Sequence, residues 1–276
     1  PYFRLLNDYR ARLSVLLQHA DMVADIAILP PNADMWYKWG VQTEPFPQKQ
    51  YADYLSLLWE AVHKNGGGAD YISESVLAQA SVKGGKLRYG NRCYSVIMLP
   101  ETDHMAVASL EKLLLFVKQG GKVICIGHCP AHALSGPAED GHVAQLVAQL
   151  KKYPKQFVLV DKPADGRYLE WFACLMDQYH LPHSVTIAKP DRFLLHNHYR
   201  ADDGSDLFFF ANSHIDSSLS TDVIMPDKLL RGRQVWLYDA HTGSRSRMPV
   251  VDGRVRLELA PADSRMLVIN KCKGGN

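Results

Sequence analysis

A parallel α/β domain followed by an antiparallel β-sandwich is the fold class that the sequence predicts, on three observations. Up to Pro182, short apolar runs alternate with amphipathic segments of helical period. Beyond Pro182 that period disappears, and short β-rich runs separated by turn residues replace it. The 276 residues, 47% of them hydrophobic, can build two cores at roughly 100 to 200 residues per domain. The expected domains are 1–182 and 183–276.

From Tyr2 to His19, Leu6, Tyr9, Leu13, Leu16 and Leu17 recur with the helical period and define one stripe to be buried. This helix reads as leading in from an upstream domain. Ala24 to Leu29 is a short β-rich run ended by Pro30-Pro31, which cannot continue a ladder, and is the first expected strand. Gln48 to Lys64 carries Tyr51, Leu55, Leu58 and Val62 on one face and stops at Asn65-Gly66, a glycine suited to the left-handed cap. Ala69 to Ser73 is the second strand. Lys83 to Lys86 and Tyr89 to Arg92 read as tight turns of a small β-insertion.

Tyr94 to Leu99, nearly all apolar, has the composition of a strand buried on both faces. Thr102 or Asp103 is expected to cap the next helix, whose Leu110, Leu113, Leu114 and Val117 turn inward before Gly120-Gly121 ends it. Lys122 to Ile126 is the fourth strand. Helices over Gly141–Lys151 and Tyr168–Tyr179 flank a fifth, Phe157 to Val160. The alternation implies a flavodoxin-like sheet with helices on both faces. In the second half, strands are expected at Arg192–Arg200, Asp206–Ala211, Asp222–Met225, Gln234–Tyr238, Val255–Leu259 and Met266–Asn270, with Asp252-Gly253 as a hairpin turn.

Composition narrows the partners. Thirty-one basic and 29 acidic residues nearly cancel, and no Lys/Arg stripe suits a phosphate backbone, so nucleic acid is not expected. No apolar run reaches the roughly 18 to 20 residues of a membrane span. Five cysteines at irregular spacing do not form a disulfide framework. The start at Pro1-Tyr2-Phe3, running directly into a helix, reads as a cut from a longer polypeptide.

In an open parallel sheet, ligands bind beyond the carboxyl ends of the strands, which singles out the segments Pro30–Trp39, Glu101–His104 and Gly127–Ala133. Asp34, Trp36, Tyr37 and Trp39 form the most distinctive of these, read as a loop, because aromatic rings beside a carboxylate suit a sugar. Packing against a neighbouring domain explains them equally well. In His128-Cys129-Pro130, a thiol beside a histidine, with His104 and Glu101 to complete a triad, suggests a nucleophile, but Pro130 occupies a place where a sharp nucleophile turn needs a small residue. Candidate binding residues are Asp34, Trp36, Trp39, Glu101 and His128; no residue is assigned a catalytic role.

Metals and cofactors find little support. Cys125 and Cys129 lack Cys-x-x-Cys spacing, so a strand cysteine is the better reading. His196 and His198 share one strand face, with His214 following, and read as surface or cross-strand residues rather than ligands. Gly66-Gly67-Gly68 follows a helix and precedes a strand, the reverse of a phosphate-binding order. No carboxylate pair stands out as an acid/base couple for glycoside cleavage. No metal and no cofactor are expected.

Several stretches resemble the C-terminal part of large bacterial glycoside hydrolases such as the α-L-rhamnosidases of glycoside hydrolase family 106. They are PYFRLLNDYRARLSVLLQHADMVADIAILPPNADMW, YSVIMLPETDHMAVASLEKLLLFVKQGGKVICIG, LFFFANSH and VWLYDAHTG. The resemblance implies that the first stretch leads out of a catalytic barrel and the second is a strand-helix-strand of a class I glutamine-amidotransferase-like domain. It implies that the last two belong to a closing sandwich. The catalytic carboxylates would lie on the preceding barrel, the partner of this region, and export to the periplasm or medium would follow. The expected role is a non-catalytic accessory region that supports the barrel and allows a homo-oligomer. A carbohydrate-binding module and an amidotransferase-like cysteine enzyme are the alternatives.

Overall fold

The structure is a computed structural model that describes residues 2–39, 54–164 and 166–271; of Lys38, Trp39, Tyr54, Leu55 and Lys271 only the backbone is described. In chain order the first part runs α1 (Tyr2–Leu17), β1 (Ala20–Met22), β2 (Ile26–Ile28), α2 (Asn32–Trp39), a π-helical turn (Tyr54–Leu58), α3 (Trp59–Lys64), β3 (Ala69–Tyr71) and α4 (Glu74–Gln79). Then come β4 (Ser81–Lys83), β5 (Lys86–Tyr89), β6 (Arg92–Tyr94), β7 (Val96–Pro100), β8 (His104–Met105), α5 (Val107–Lys118), β9 (Lys122–Ile126), β10 (His132–Ala133), α6 (Asp140–Leu150), β11 (Phe157–Val160) and α7 (Tyr168–Tyr179). The last part holds β12 (Thr186–Ile187), β13 (Leu194–Ala201), β14 (Asp206–Asn212), β15 (Leu219–Ile224), α8 (Asp227–Leu230), β16 (Arg233–Tyr238), β17 (Arg245–Arg247), β18 (Arg254–Leu259) and β19 (Ser264–Lys271).

Contacts group these elements into two units. One comprises Ala24–Trp59 and Ala69–Pro182; the other comprises Pro1–Val23, Glu60–Gly68 and His183–Asn276. The first unit is built on a five-stranded sheet in the order β11-β9-β7-β2-β3, with every neighbouring pair parallel. All five residues of β7 and all three of β2 are buried, as the uninterrupted apolar runs require. Helix α5 packs on β9, α4 and α6, and buries Leu110, Leu113, Leu114, Phe116 and Val117. Glycine is required at 121, just past the end of this helix, because an added Cβ would stand 2.3 Å from the buried Phe116 ring.

Six strands of the second unit form an antiparallel sheet in the order β1-β13-β14-β19-β16-β17, and three form another, β12-β15-β18. The two sheets share one core, with Leu194, Phe208, Phe210, Val235, Leu267 and Ile269 from the first and Ile187, Val223, Val255, Leu257 and Leu259 from the second. Alternation in β18, buried at Val255, Leu257 and Leu259 and exposed between them, is the half-exposed pattern read in the sequence. A second, smaller cluster of Leu207, Met266 and Val268 receives Leu13, Leu16 and Leu17 of α1. Gly66 lies in this unit at φ +88, with Val185 O 2.0 Å from where a Cβ would stand, so only glycine fits.

Several expectations need correction. Leu6 is 53% exposed rather than part of the buried stripe. Neither Thr102 nor Asp103 caps α5: the helix starts at Val107 after Ala106, whose N–H is taken by Glu74 instead. Residues 32–39 form a helix rather than a loop, because Pro30-Pro31 lie just ahead of a helical first turn that needs no donor from them. His196 and His198 are 2% and 4% exposed, so they are core residues and not surface ones. Of the helix expected over Gln48–Lys64, the stretch from 48 to 53 lies outside the described residues.

Candidate functional site

The chemistry-bearing side chains of the α/β unit collect beyond the carboxyl ends of its parallel strands. Asp34 sits on α2, 3% exposed, and its two oxygens accept from Asp103 N at 2.8 Å and His104 N at 3.0 Å. His104 Nδ1 stands 2.6 Å from Asp34 Oδ1. A carboxylate can only accept, so Nδ1 carries a proton and donates it, while Asp34 leaves Nε2 unengaged. Asp34 thus fixes the loop after β7 and the orientation of the His104 ring.

Strands β8 and β10 pair in parallel, with His104 opposite His132, and their rings stack at 5.0 Å. His132 repeats the arrangement, with Nδ1 2.9 Å from Asp140 Oδ2 while Ala133 N donates to Oδ1 at 2.8 Å. The hydrogen bond that His132 donates to Asp140 raises the His132 pKa and lowers that of Asp140. Tyr37, 82% exposed, tilts over His104 with ring centres 5.6 Å apart.

A cavity of about 280 Å³ opens beside this cluster. Loops after β2, β3 and β7 line it, through residues that include Asn32, Trp36, Glu74, Ser75, His104 and Met105. Trp36 is 77% exposed. Glu74 Oε2 accepts from Ala106 N at 3.0 Å and from the Ser109 hydroxyl at 2.5 Å. Both carboxylates near the cavity therefore serve as acceptors that hold backbone in place.

Of the residues singled out in sequence, the structure brings Asp34, Trp36 and His104 together here. Trp39 ends α2, but its side chain lies outside the described residues. Glu101 and His128 have other partners. Glu101 adopts φ +44 at the end of β7 and pairs with Lys162 at 2.9 Å. His128 Nε2 is 3.2 Å from Asp103 Oδ1, close enough for charge attraction, yet it lacks the alignment of a hydrogen bond. Sequence reasoning missed Asn32, Glu74, His132 and Asp140; a Ser-Glu start signal at 73–74 was the available sign of α4.

The cysteines do not join this cluster. The Cys125 thiol hydrogen-bonds Cys129, which lowers the Cys129 pKa to about 7, aided by the charge of Lys151 and opposed by partial burial. That same bond, with burial, pushes the Cys125 thiol well up. His104 is held by Asp34 and His128 faces Asp103, so neither of the two histidines read as its partners is paired with the Cys129 thiol as a nucleophile needs.

In the β-rich unit a second polar group is buried. His63 Nδ1 lies 3.1 Å from His196 O, and His196 Nδ1 lies 3.1 Å from His63 O, an exchange that leaves His196 Nε2 buried without a hydrogen bond. Burial, then the neighbouring His63 and His198, lower the His196 pKa to about 3. Burial alone would raise the Asp206 carboxyl, but bonds from His198 at 2.7 Å, Arg233 at 2.5 Å and Arg200 at 2.9 Å outweigh it and hold it well below the carboxylate range. With the Asp206 oxygens satisfied, this group reads as structural, although Arg233 also borders a cavity of about 610 Å³ lined with Gln234, Arg247 and Met248. Among the described residues, no cluster of three or more His, Cys, Asp or Glu side chains is arranged for a metal, and no helix is long and apolar enough to cross a membrane.

Comparison with known proteins places this architecture. No curated protein matches the chain in sequence. Among solved structures, a rhamnosidase from Novosphingobium sp. PP1Y superposes at TM-score 0.67 with 20% identity, over 99% of this chain and 25% of that one. A β-galactosidase from Bacillus circulans sp. alkalophilus gives 0.60 at 11% identity, over 96% and 44% of the respective chains. An α-L-fucosidase isoenzyme 2 from Paenibacillus thiaminolyticus gives 0.55 at 11% identity, over 97% and 51%. The chain thus spans about a quarter of the length of the rhamnosidase it resembles, and at these identities the likeness is one of fold. The family model described as alpha-L-rhamnosidase matches residues 2–250, and the chain belongs to that family, glycoside hydrolase family 106.

Proposed function

We propose that this chain is a non-catalytic accessory region of an α-L-rhamnosidase-type glycoside hydrolase, supporting a catalytic barrel carried elsewhere on the same polypeptide. The observation that carries it is the state of the carboxylates at the strand-end cavity. A glycosidase needs two carboxyl groups free to face a glycosidic bond from opposite sides. Here Asp34 is spent on two backbone N–H groups and a histidine, and Glu74 on a backbone N–H and a hydroxyl. The family match and the one-quarter coverage of a rhamnosidase agree with such a role.

The strand order, 2-1-3-4-5 when the parallel strands are numbered along the chain, supports reading the α/β unit as flavodoxin-like and amidotransferase-like. The separate cores support treating the two units as domains. Assaying the purified chain on an aryl α-L-rhamnoside tests the proposal: phenol release should equal the buffer blank. Turnover that disappears in Glu74→Gln would overturn it.

A further inference from the structure

We propose that the cavity beside α2 binds one neutral sugar residue, stacked on Trp36 and hydrogen-bonded by His104 and Asn32. The inference goes beyond the accessory role and does not depend on it. Three independent features point the same way.

The first is position. Along the chain the sheet is extended from β2 to β3 on one side, then from β7 through β9 to β11 on the other, so the order reverses between β2 and β7. A crevice opens at such a reversal, because the loops leaving the two adjacent strands turn in opposite directions. The cavity lies there, between Asn32 and Trp36 after β2 and His104 after β7, with Ser75 and Glu74 from the segment after β3.

The second is size and surface. At about 280 Å³ the cavity sits at the lower end of small-ligand pockets, room for one ring and not for a nucleotide. Trp36 keeps 77% of its surface in solvent although it belongs to a helix that buries Asp34 and Met35 beside it. An exposed indole offers a flat apolar face to the C–H side of a pyranose, and the Asn32 amide can both donate to and accept from ring hydroxyls. His104 adds a ring nitrogen whose orientation is set in advance, since Asp34 holds Nδ1 at 2.6 Å and leaves Nε2 for a hydroxyl, which can both donate and accept.

The third is charge. Among the described residues no lysine or arginine lines the cavity; Glu74 does, and the buried Asp34 carboxylate lies against His104. A phosphate or carboxylate ligand would meet these carboxylates without a lysine or arginine among the described lining residues to offset them. A polyhydroxylated ligand without charge meets hydroxyl, amide and imidazole groups that match its own.

Calorimetric titration of the purified 276-residue protein with L-rhamnose, methyl α-L-rhamnoside and D-galactose tests the site. Saturable binding of at least one of these is expected, weakened at least about tenfold in Trp36→Ala and largely restored in Trp36→Tyr. Glucuronate and inorganic phosphate should bind more weakly than the neutral sugars in the same buffer. Trp36 is exposed, so Trp36→Ala should melt like the parent protein, and a thermal scan checks that. Three results overturn the proposal: no saturable binding of any neutral sugar, binding unchanged in Trp36→Ala, or a preference for phosphate or glucuronate. Failure here leaves the glycosidase assay untouched, and turnover in that assay contradicts the accessory role without bearing on this site.

Discussion

Asp34 shows how far a single residue can be read from sequence. It stands out as a carboxylate among aromatic rings, and the reading of that segment as sugar-facing is natural. In the fold the carboxylate is turned inward, where it satisfies two N–H groups of a segment 69 and 70 residues further along. Nothing local in the sequence announces partners at that distance. Removing it leaves part-buried donors without their acceptor, so Asp34→Ala should cost about 1 to 3 kcal/mol in urea unfolding, with Asp34→Asn recovering part. An unchanged midpoint in Asp34→Ala would show that the cluster is held by something else.

His196 gives a pH prediction at the same scale. Its folded pKa of about 3 lies below the ordinary 6.5, so the unfolded chain binds an extra proton in between. Its contribution to stability is complete above pH 6.5 and drains as pH falls toward 3, by ~1.4 kcal/mol per unit. Asp206, also held low, adds its own loss only further down, through the acidic carboxylate range. Replacing His196 with Phe should flatten the upper part of this slope in urea midpoints measured from pH 7 to 4. A slope that does not change would mean that another group titrates there. Cys129 offers a third check: iodoacetamide should label it with a midpoint near pH 7, while buried Cys125 stays unlabelled in the folded protein.

Elements were legible where hydrophobic rhythm is sustained. Strand β9 and helix α7 fall where the sequence places them, because long apolar runs and complete amphipathic turns leave little choice of period. Short pieces were not. Strands β8 and β10 contribute two residues each, fewer than any periodicity can register, yet they put His104 beside His132. Helix α4 spans six residues between a strand and a hairpin, and its sign is the Ser73 side chain accepting from Val76 N. Ser73→Ala should lower stability by about 1 kcal/mol. Gly66→Ala tests the opposite kind of constraint. A methyl group there collides with Val185 O in a conformation already unfavourable for alanine, so a loss above about 2 kcal/mol is expected, and a silent substitution would contradict the close approach of Val185 to Gly66.

At the scale of the whole molecule, two cores built on different principles account for the change of rhythm near Pro182. The parallel sheet needs strands buried on both faces; the antiparallel sheets need one polar face, which β18 shows residue by residue. Membership of the family was legible because it rests on such structural stretches, spread along most of the chain. The cavity was only half legible. Its Trp36 and Asp34 share a segment, but Asn32, Glu74 and His104 meet them through the sheet order, which no local pattern encodes. The central claim is that these carboxylates hold backbone and do not cleave sugars. Its most direct test is a rate measurement on the purified chain with 4-nitrophenyl α-L-rhamnoside, β-D-galactoside and α-L-fucoside. The account predicts rates indistinguishable from buffer for all three; hydrolysis of any of them that Glu74→Gln or Asp34→Asn abolishes would contradict it.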